Sequence, residues 1–161
     1  VTLEVRPLAV GERPWVSETL RERWGSDIVI GHGAIHRPAE LDGFVASDAG
    51  ERVGLITYAR DGDALEIVTI DAFAPRRGIG RALVGAVAAL DAKRVWLITT
   101  NDNVDAQRFY EAVGFRLVQV HEGAVARSRE LKPEIPRVGH GGVAITDELE
   151  YELVGDRPHD A

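Results

Sequence analysis

The chain has 161 residues, 45% of them apolar, a formal net charge of −7 and no cysteine. That length and apolar share suit a single domain over residues 1–161 whose core needs no disulfide, and the missing thiols exclude a cysteine nucleophile and thiolate metal sites. The acidic balance argues against nucleic acid as a partner, because affinity there comes largely from Lys and Arg meeting phosphates.

Leu3 and Val5 alternate with polar neighbours as a first strand that Pro7 ends. Pro14 at a first turn, Val16, Leu20 and Trp24 at four-residue spacing and Gly25 as a stop predict an amphipathic helix whose tryptophans belong to the core. Ser26 to Asp42, broken by Gly31, Gly33 and Pro38, reads as mostly loop. Phe44–Ser47, Val53–Tyr58 and Leu65–Ile70 are β-rich runs separated by tight-turn sequences, an antiparallel meander.

After Gly80, the positions Leu83, Val84, Val87 and Leu90 follow helical spacing, and Val95–Ile98 makes a short buried strand. Asn103 is a good N-cap for a helix carrying Ala106, Phe109, Tyr110 and Val113, which Gly114 terminates before a strand over Phe115–His121. Gly123 to Leu131 predicts a short helix. Leu149, Tyr151 and Leu153 alternate with Glu148, Glu150 and Glu152 as a closing strand with one wet face, and Gly155 to Ala161 reads as a frayed tail. The longest apolar run, Ala82 to Leu90, falls far short of the roughly 18 residues of a membrane span, so no membrane partner is expected. Val1 to Leu8 alternates like a strand rather than a secretory leader, which makes the cytoplasm the expected location.

Two motifs carry chemistry. In Ala74-Pro75-Arg76-Arg77-Gly78-Ile79-Gly80-Arg81, a strand end turns through glycines into a helix flanked by three arginines. The first free N–H groups and the positive dipole end of such a helix suit a phosphate, which two glycines let approach without side-chain obstruction. A tight strand-to-helix turn uses the same residues for backbone geometry alone. The nucleoside-triphosphate loop is absent, and Gly78 to Leu83 lacks the third small residue of the dinucleotide fingerprint. The second motif is the helix Asn103 to Val113 with Phe109-Tyr110, followed by Gly114-Phe115.

Together these motifs, over about residues 65 to 118, resemble the acyl-CoA-binding half of the GNAT acetyltransferase superfamily. Pro75 stands where that family has Arg or Gln. The resemblance implies an α+β fold, a mixed, mostly antiparallel twisted sheet of about seven strands flanked by helices, with a splayed central strand pair. It implies acetyl-CoA as acyl-donor cosubstrate, its diphosphate held by Arg76, Arg77, Gly78, Ile79, Gly80 and Arg81, and its pantetheine arm by backbone groups near Ile70 and Ala72, by Asn103 and by Tyr110. Direct attack by a primary amine of a small molecule or peptide would complete N-acetyl transfer, with Tyr110 as acid to the departing thiolate and Glu66 of the Glu66-Ile67-Val68 segment as base. Glu66 lies four residues before Ile70, roughly 13 Å along an extended strand, so a water relay or bulge is called for. Asp71, His32, His36 and His121 are further candidates for the base or for ordering the acceptor.

His32 and His36 have metal-ligand spacing in a glycine-interrupted region, and no metal is expected. The alternatives are a noncatalytic acyl-CoA sensor or interaction module and a transferase using another acyl-CoA. The acceptor stays open, and the family's habit of dimerising allows a homodimer.

Overall fold

The computed structural model describes residues 3–74 and 78–154; Arg76 and Arg77 of the cradle and the tail from Gly155 lie outside them. In chain order the elements are β1 (Leu3–Pro7), α1 (Arg13–Trp24), β2 (Val29–Gly31), β3 (Ala34–His36), β4 (Asp42–Asp48), β5 (Glu51–Asp61), β6 (Ala64–Ala72), α2 (Ile79–Ala88), β7 (Arg94–Thr100), α3 (Val104–Ala112), β8 (Phe115–His121), α4 (Ala124–Leu131) and β9 (Glu148–Leu153). The fold is mixed α+β and mostly antiparallel, as expected. The described residues form two compact units, one within 3–29 and 37–95, the other within 30–36 and 96–154.

In the first unit β1, β4, β5 and β6 pair in that order, antiparallel throughout, and β4 to β6 form the expected meander. Val53 to Thr57 of β5 are buried consecutively, so this strand is covered on both faces. α1 buries Val16 and Leu20 against Leu55, and α2 buries Leu83, Val84 and Val87 as its spacing marks, together with Ile79, while Leu90 lies past its end and is half-buried. Gly54 matters here: a Cβ on it would lie 2.5 Å from Ile79 Cγ2, so its absence seats α2 on the sheet. Gly25 ends α1 at φ 81°, a left-handed cap that glycine adopts without strain.

Trp15 packs edge-on to Phe73 under the Arg52 guanidinium, but Trp24 is 49% exposed rather than core. It closes the last turn of α1, and its indole N–H donates to Asp71 at 3.1 Å. Polar anchoring replaces burial there.

Glu12, only 7% exposed, accepts from both Arg6 guanidinium nitrogens at 2.6 and 2.8 Å, from Arg52 Nε at 2.9 Å and from the Ala9 amide at 3.0 Å. The Arg6 hydrogen bonds, backed by the Ala9 amide and Arg52, hold its carboxyl down to about 2 against an ordinary 4.5. A depressed folded value means stability present above pH 4.5 and lost as pH falls towards 2. Acid unfolding followed by circular dichroism should therefore steepen across that window, and Glu12→Gln should remove that part of the slope.

In the second unit β9 lies between β7 and β8, antiparallel to both. The stretch Ser26 to Asp42, expected to be mostly loop, contains the β2–β3 hairpin. His32 (φ 52°) and Gly33 (φ 74°) make its two-residue turn, so a glycine that reads as a breaker is the hinge of a strand pair. The wet face expected for β9 also needs correction. Glu148 is 3% exposed, because the hairpin tip and α4 both hydrogen-bond to it.

Candidate active site

α2 begins at Gly78, whose φ of 69° and ψ of 18° turn the chain into the helix with no side-chain cap. Its first-turn N–H groups have no intrahelical acceptor, and no acidic residue occupies that turn. The helix dipole is therefore left to attract an anion. Among the described residues, nothing lies within 4 Å of the place a Gly78 Cβ would take. Ile79, expected to line the cradle, puts its side chain into the core, so only its amide can serve a ligand.

Ile70 and Ala72 lie near the end of β6, paired with Ile56 and Gly54 of β5. Between Thr69, opposite Thr57, and Ile67, opposite Tyr58, the register slips by one and leaves Val68 as an extra residue. That irregularity falls in the Glu66–Ile70 interval, where the spacing calls for a bulge, and it re-aims the side chains before it. The Thr57 and Thr69 hydroxyls bond to each other at 2.7 Å beside it, a buried clasp that nothing in the sequence marks. Glu66 itself is half-buried opposite Ala59.

α3 supplies the other candidates. Asn103 is its N-cap, with Oδ1 accepting from the Ala106 amide at 3.2 Å. The Tyr110 ring packs among Phe109, Phe115 and Tyr151, with centroids 5.6 to 6.0 Å away. Its hydroxyl has no hydrogen-bond partner among the described residues. Burial pushes the phenol up to about 12, so it stays protonated at any physiological pH. A protonated hydroxyl with no partner among the described residues is ready to serve an incoming acceptor.

Asp71 is withdrawn from the candidate bases. Arg23 holds both its oxygens, at 2.5 and 3.0 Å, and the Trp24 indole adds a third donor. This carboxylate ties the end of α1 to the end of β6. His36 is half-buried on β3. His32 and His121, 89 positions apart in the chain, have ring centroids 4.9 Å apart in the second unit. Asp102 was not anticipated: it is buried and accepts from Thr100 Oγ1 at 2.5 Å and from the His140 amide at 3.1 Å, organising the loop before α3.

The profile of the Acetyltransferase (GNAT) family matches residues 7–115 of this chain. The chain belongs to the GNAT family. The uncharacterized protein YdhI of Bacillus subtilis (strain 168) is 39% identical to it over 146 residues, covering 88% of this chain and 91% of YdhI. Among solved structures, the IAA acetyltransferase from Bacillus cereus ATCC 14579 shares the fold with a TM-score of 0.71 at 15% identity, over 94% of this chain and 99% of its own. A GNAT acetyltransferase from Elizabethkingia anophelis with acetyl-CoA bound follows at 0.65 and 18%, over 94% and 97%. The GNAT match spans α2, β6 and α3, the elements that carry the glycine-led helix start, the bulge and Tyr110. Among the described residues, no helix is long and apolar enough to cross a membrane.

Proposed function

We propose that this GNAT protein transfers the acetyl group of acetyl-CoA to a primary amine by direct attack. The observation that carries this reading is the uncapped, glycine-led start of α2, free of acidic side chains in its first turn. Amides of Gly78 to Arg81 receive the diphosphate, with Arg76 and Arg77 supplying charge. Backbone groups near Ile70 and Ala72 hold the pantetheine arm and thioester, and Asn103, whose Oδ1 is engaged by the cap, offers its amide N–H₂ to the same arm. One GNAT neighbour holds acetyl-CoA, and the donor assigned here is the same thioester.

The chemistry then needs an amine that has lost its proton, a stabilised tetrahedral oxyanion and a departing sulfur. Glu66 is the proposed base, and the bulge at Val68 is what supports it. A backbone N–H of β6 at the thioester oxygen would contribute about 2.7–4 kcal/mol to the transition state. Tyr110 serves the sulfur. A phenol near 12 does not pass its proton completely to a thiolate whose thiol has a pKa of about 8.5. It donates a strong hydrogen bond to the developing charge, and the thiol proton comes from solvent after release.

Titration calorimetry with acetyl-CoA, followed by a CoA-release assay over a panel of primary amines, tests the reading. Gly78→Val forces a β-branched residue to φ 69°, at a cost of about 1–3 kcal/mol, and puts a side chain where the anion should lie. Acetyl-CoA affinity should fall about tenfold, near 1.4 kcal/mol. Glu66→Gln should leave affinity in place and slow transfer. Equal affinities for wild type and a folded Gly78→Val protein would remove the cradle assignment.

A further inference from the structure

The fold brings the His32 ring against that of His121, with centroids 4.9 Å apart. His121 Nε2 lies 2.9 Å from Glu150 Oε1, and one ligand atom each of His32, His121 and Glu150 falls within 4.8 Å of the others. We propose that these three residues bind a divalent ion of borderline softness, with Zn²⁺ the foremost candidate. The site lies within the second unit and does not depend on the acyl-transfer reading.

Two imidazoles and a carboxylate are a donor set that zinc accepts, with a fourth position left to water or another group. Nitrogen donors select against Mg²⁺ and Ca²⁺, which prefer oxygen. Bonds of about 2.0–2.2 Å need the ligand atoms closer together than 4.8 Å, so one side chain must move inward by about 1 Å. His32 can do so, because it is exposed at a hairpin tip. The other two are already in contact, with side chains 16% and 12% exposed.

Three further features converge on the same place. Glu148 accepts from the His32 amide at 3.0 Å, which fixes the hairpin tip beside β9, and from Ser128 Oγ at 3.0 Å. Both partners are neutral donors, so a second carboxylate charge adjoins the site. Arg127 lines the same cavity and offsets part of that charge. Next, His32 holds φ 52°, a conformation in which Asn or Gly would cost less than histidine. That conformation holds the His32 backbone in the turn and sets its side chain beside His121. Finally, His32, His121 and Glu148 line a cavity of about 230 Å³, room enough for the water ligands that complete the coordination shell.

The full chain, stripped of metal, should bind one equivalent of ZnCl₂ by titration calorimetry and give a visible d–d spectrum with CoCl₂, while MgCl₂ gives no heat. His32→Asn, which the turn tolerates, and Glu150→Gln should each weaken zinc binding at least tenfold, and Glu148→Gln by about 10–100-fold as a supporting contact. His140→Ala, an exposed histidine beside Asp102, should leave it unchanged. Circular dichroism without metal checks that each variant folds. Should His121→Gln fail to fold, His32→Asn decides the matter, since His32 is exposed at the hairpin tip and its ring only edges Trp96 and His121. Absence of stoichiometric zinc binding, or binding that survives His32→Asn and Glu150→Gln, overturns the site.

Discussion

Tyr110→Phe should lower the rate of acetyl transfer by about 10²–10³-fold, the loss expected for one hydrogen-bond donor to developing charge, while leaving acetyl-CoA affinity little changed. The substitution deletes one oxygen and keeps the ring against Phe109, Phe115 and Tyr151, so the packing of α3 on this face survives. The hydroxyl makes no hydrogen bond among the described residues, so its removal leaves no protein group unpaired there. Stability should therefore hold, and a loss confined to kcat identifies an interaction made in the transition state. The raised phenol sets a second criterion: with a pKa of about 12, Tyr110 contributes no alkaline fall in rate at ordinary assay pH. Wild type and variant should show profiles of the same shape at different heights. Unchanged turnover in the variant would strip Tyr110 of its role. A wild-type protein that binds acetyl-CoA but acetylates no amine would favour the acyl-CoA sensor.

The largest stability effect is expected from Gly43→Ala. Gly43 is buried on β4 opposite Thr57, and a Cβ there would overlap the Ile56 carbonyl oxygen, with the Ile56 carbonyl carbon and the Thr57 Cα each 3.2 Å away. All three are backbone atoms of β5, a strand paired on both sides and buried through its middle, so no flexible side chain can yield. Either β4 moves out or β5 bends. Overpacking of this kind costs about 3 kcal/mol, a large share of a stability of about 5–15 kcal/mol. Urea unfolding should show the unfolding free energy lowered by that amount, read as a lower midpoint at an unchanged slope. Gly11→Ala is the matched control: nothing lies within 4 Å of its added methyl, and it should stay within about 0.5 kcal/mol of wild type. Equal midpoints for the two variants would contradict the close approach of β4 and β5.

The two units differ in how much of them could be read in advance. In the first, α1, the meander and α2 are visible because their periods are local: Leu83, Val84 and Val87 share one helix face whatever the rest of the chain does. The start of α3 at Asn103 and its end before Gly114 follow from capping chemistry, equally local. The β2–β3 hairpin escaped notice because three-residue strands carry too few alternating positions to register, and Gly33 marks both a breaker and a turn.

For the site residues the same division holds. The amino-acid order alone determined the family, the glycine-led start of α2 and the helix that carries Tyr110, since each is a short-range pattern whose geometry follows from a few neighbouring residues. Only the tertiary structure decided the fate of the isolated polar groups. Asp71 became an anchor because Arg23, 48 positions earlier, reaches it. Glu148 was buried because an amide 116 positions away, at His32, closes over it, and His121 met His32 for the same reason. An alternating strand reveals that one face is polar, but whether that face stays wet depends on what the remote chain lays upon it.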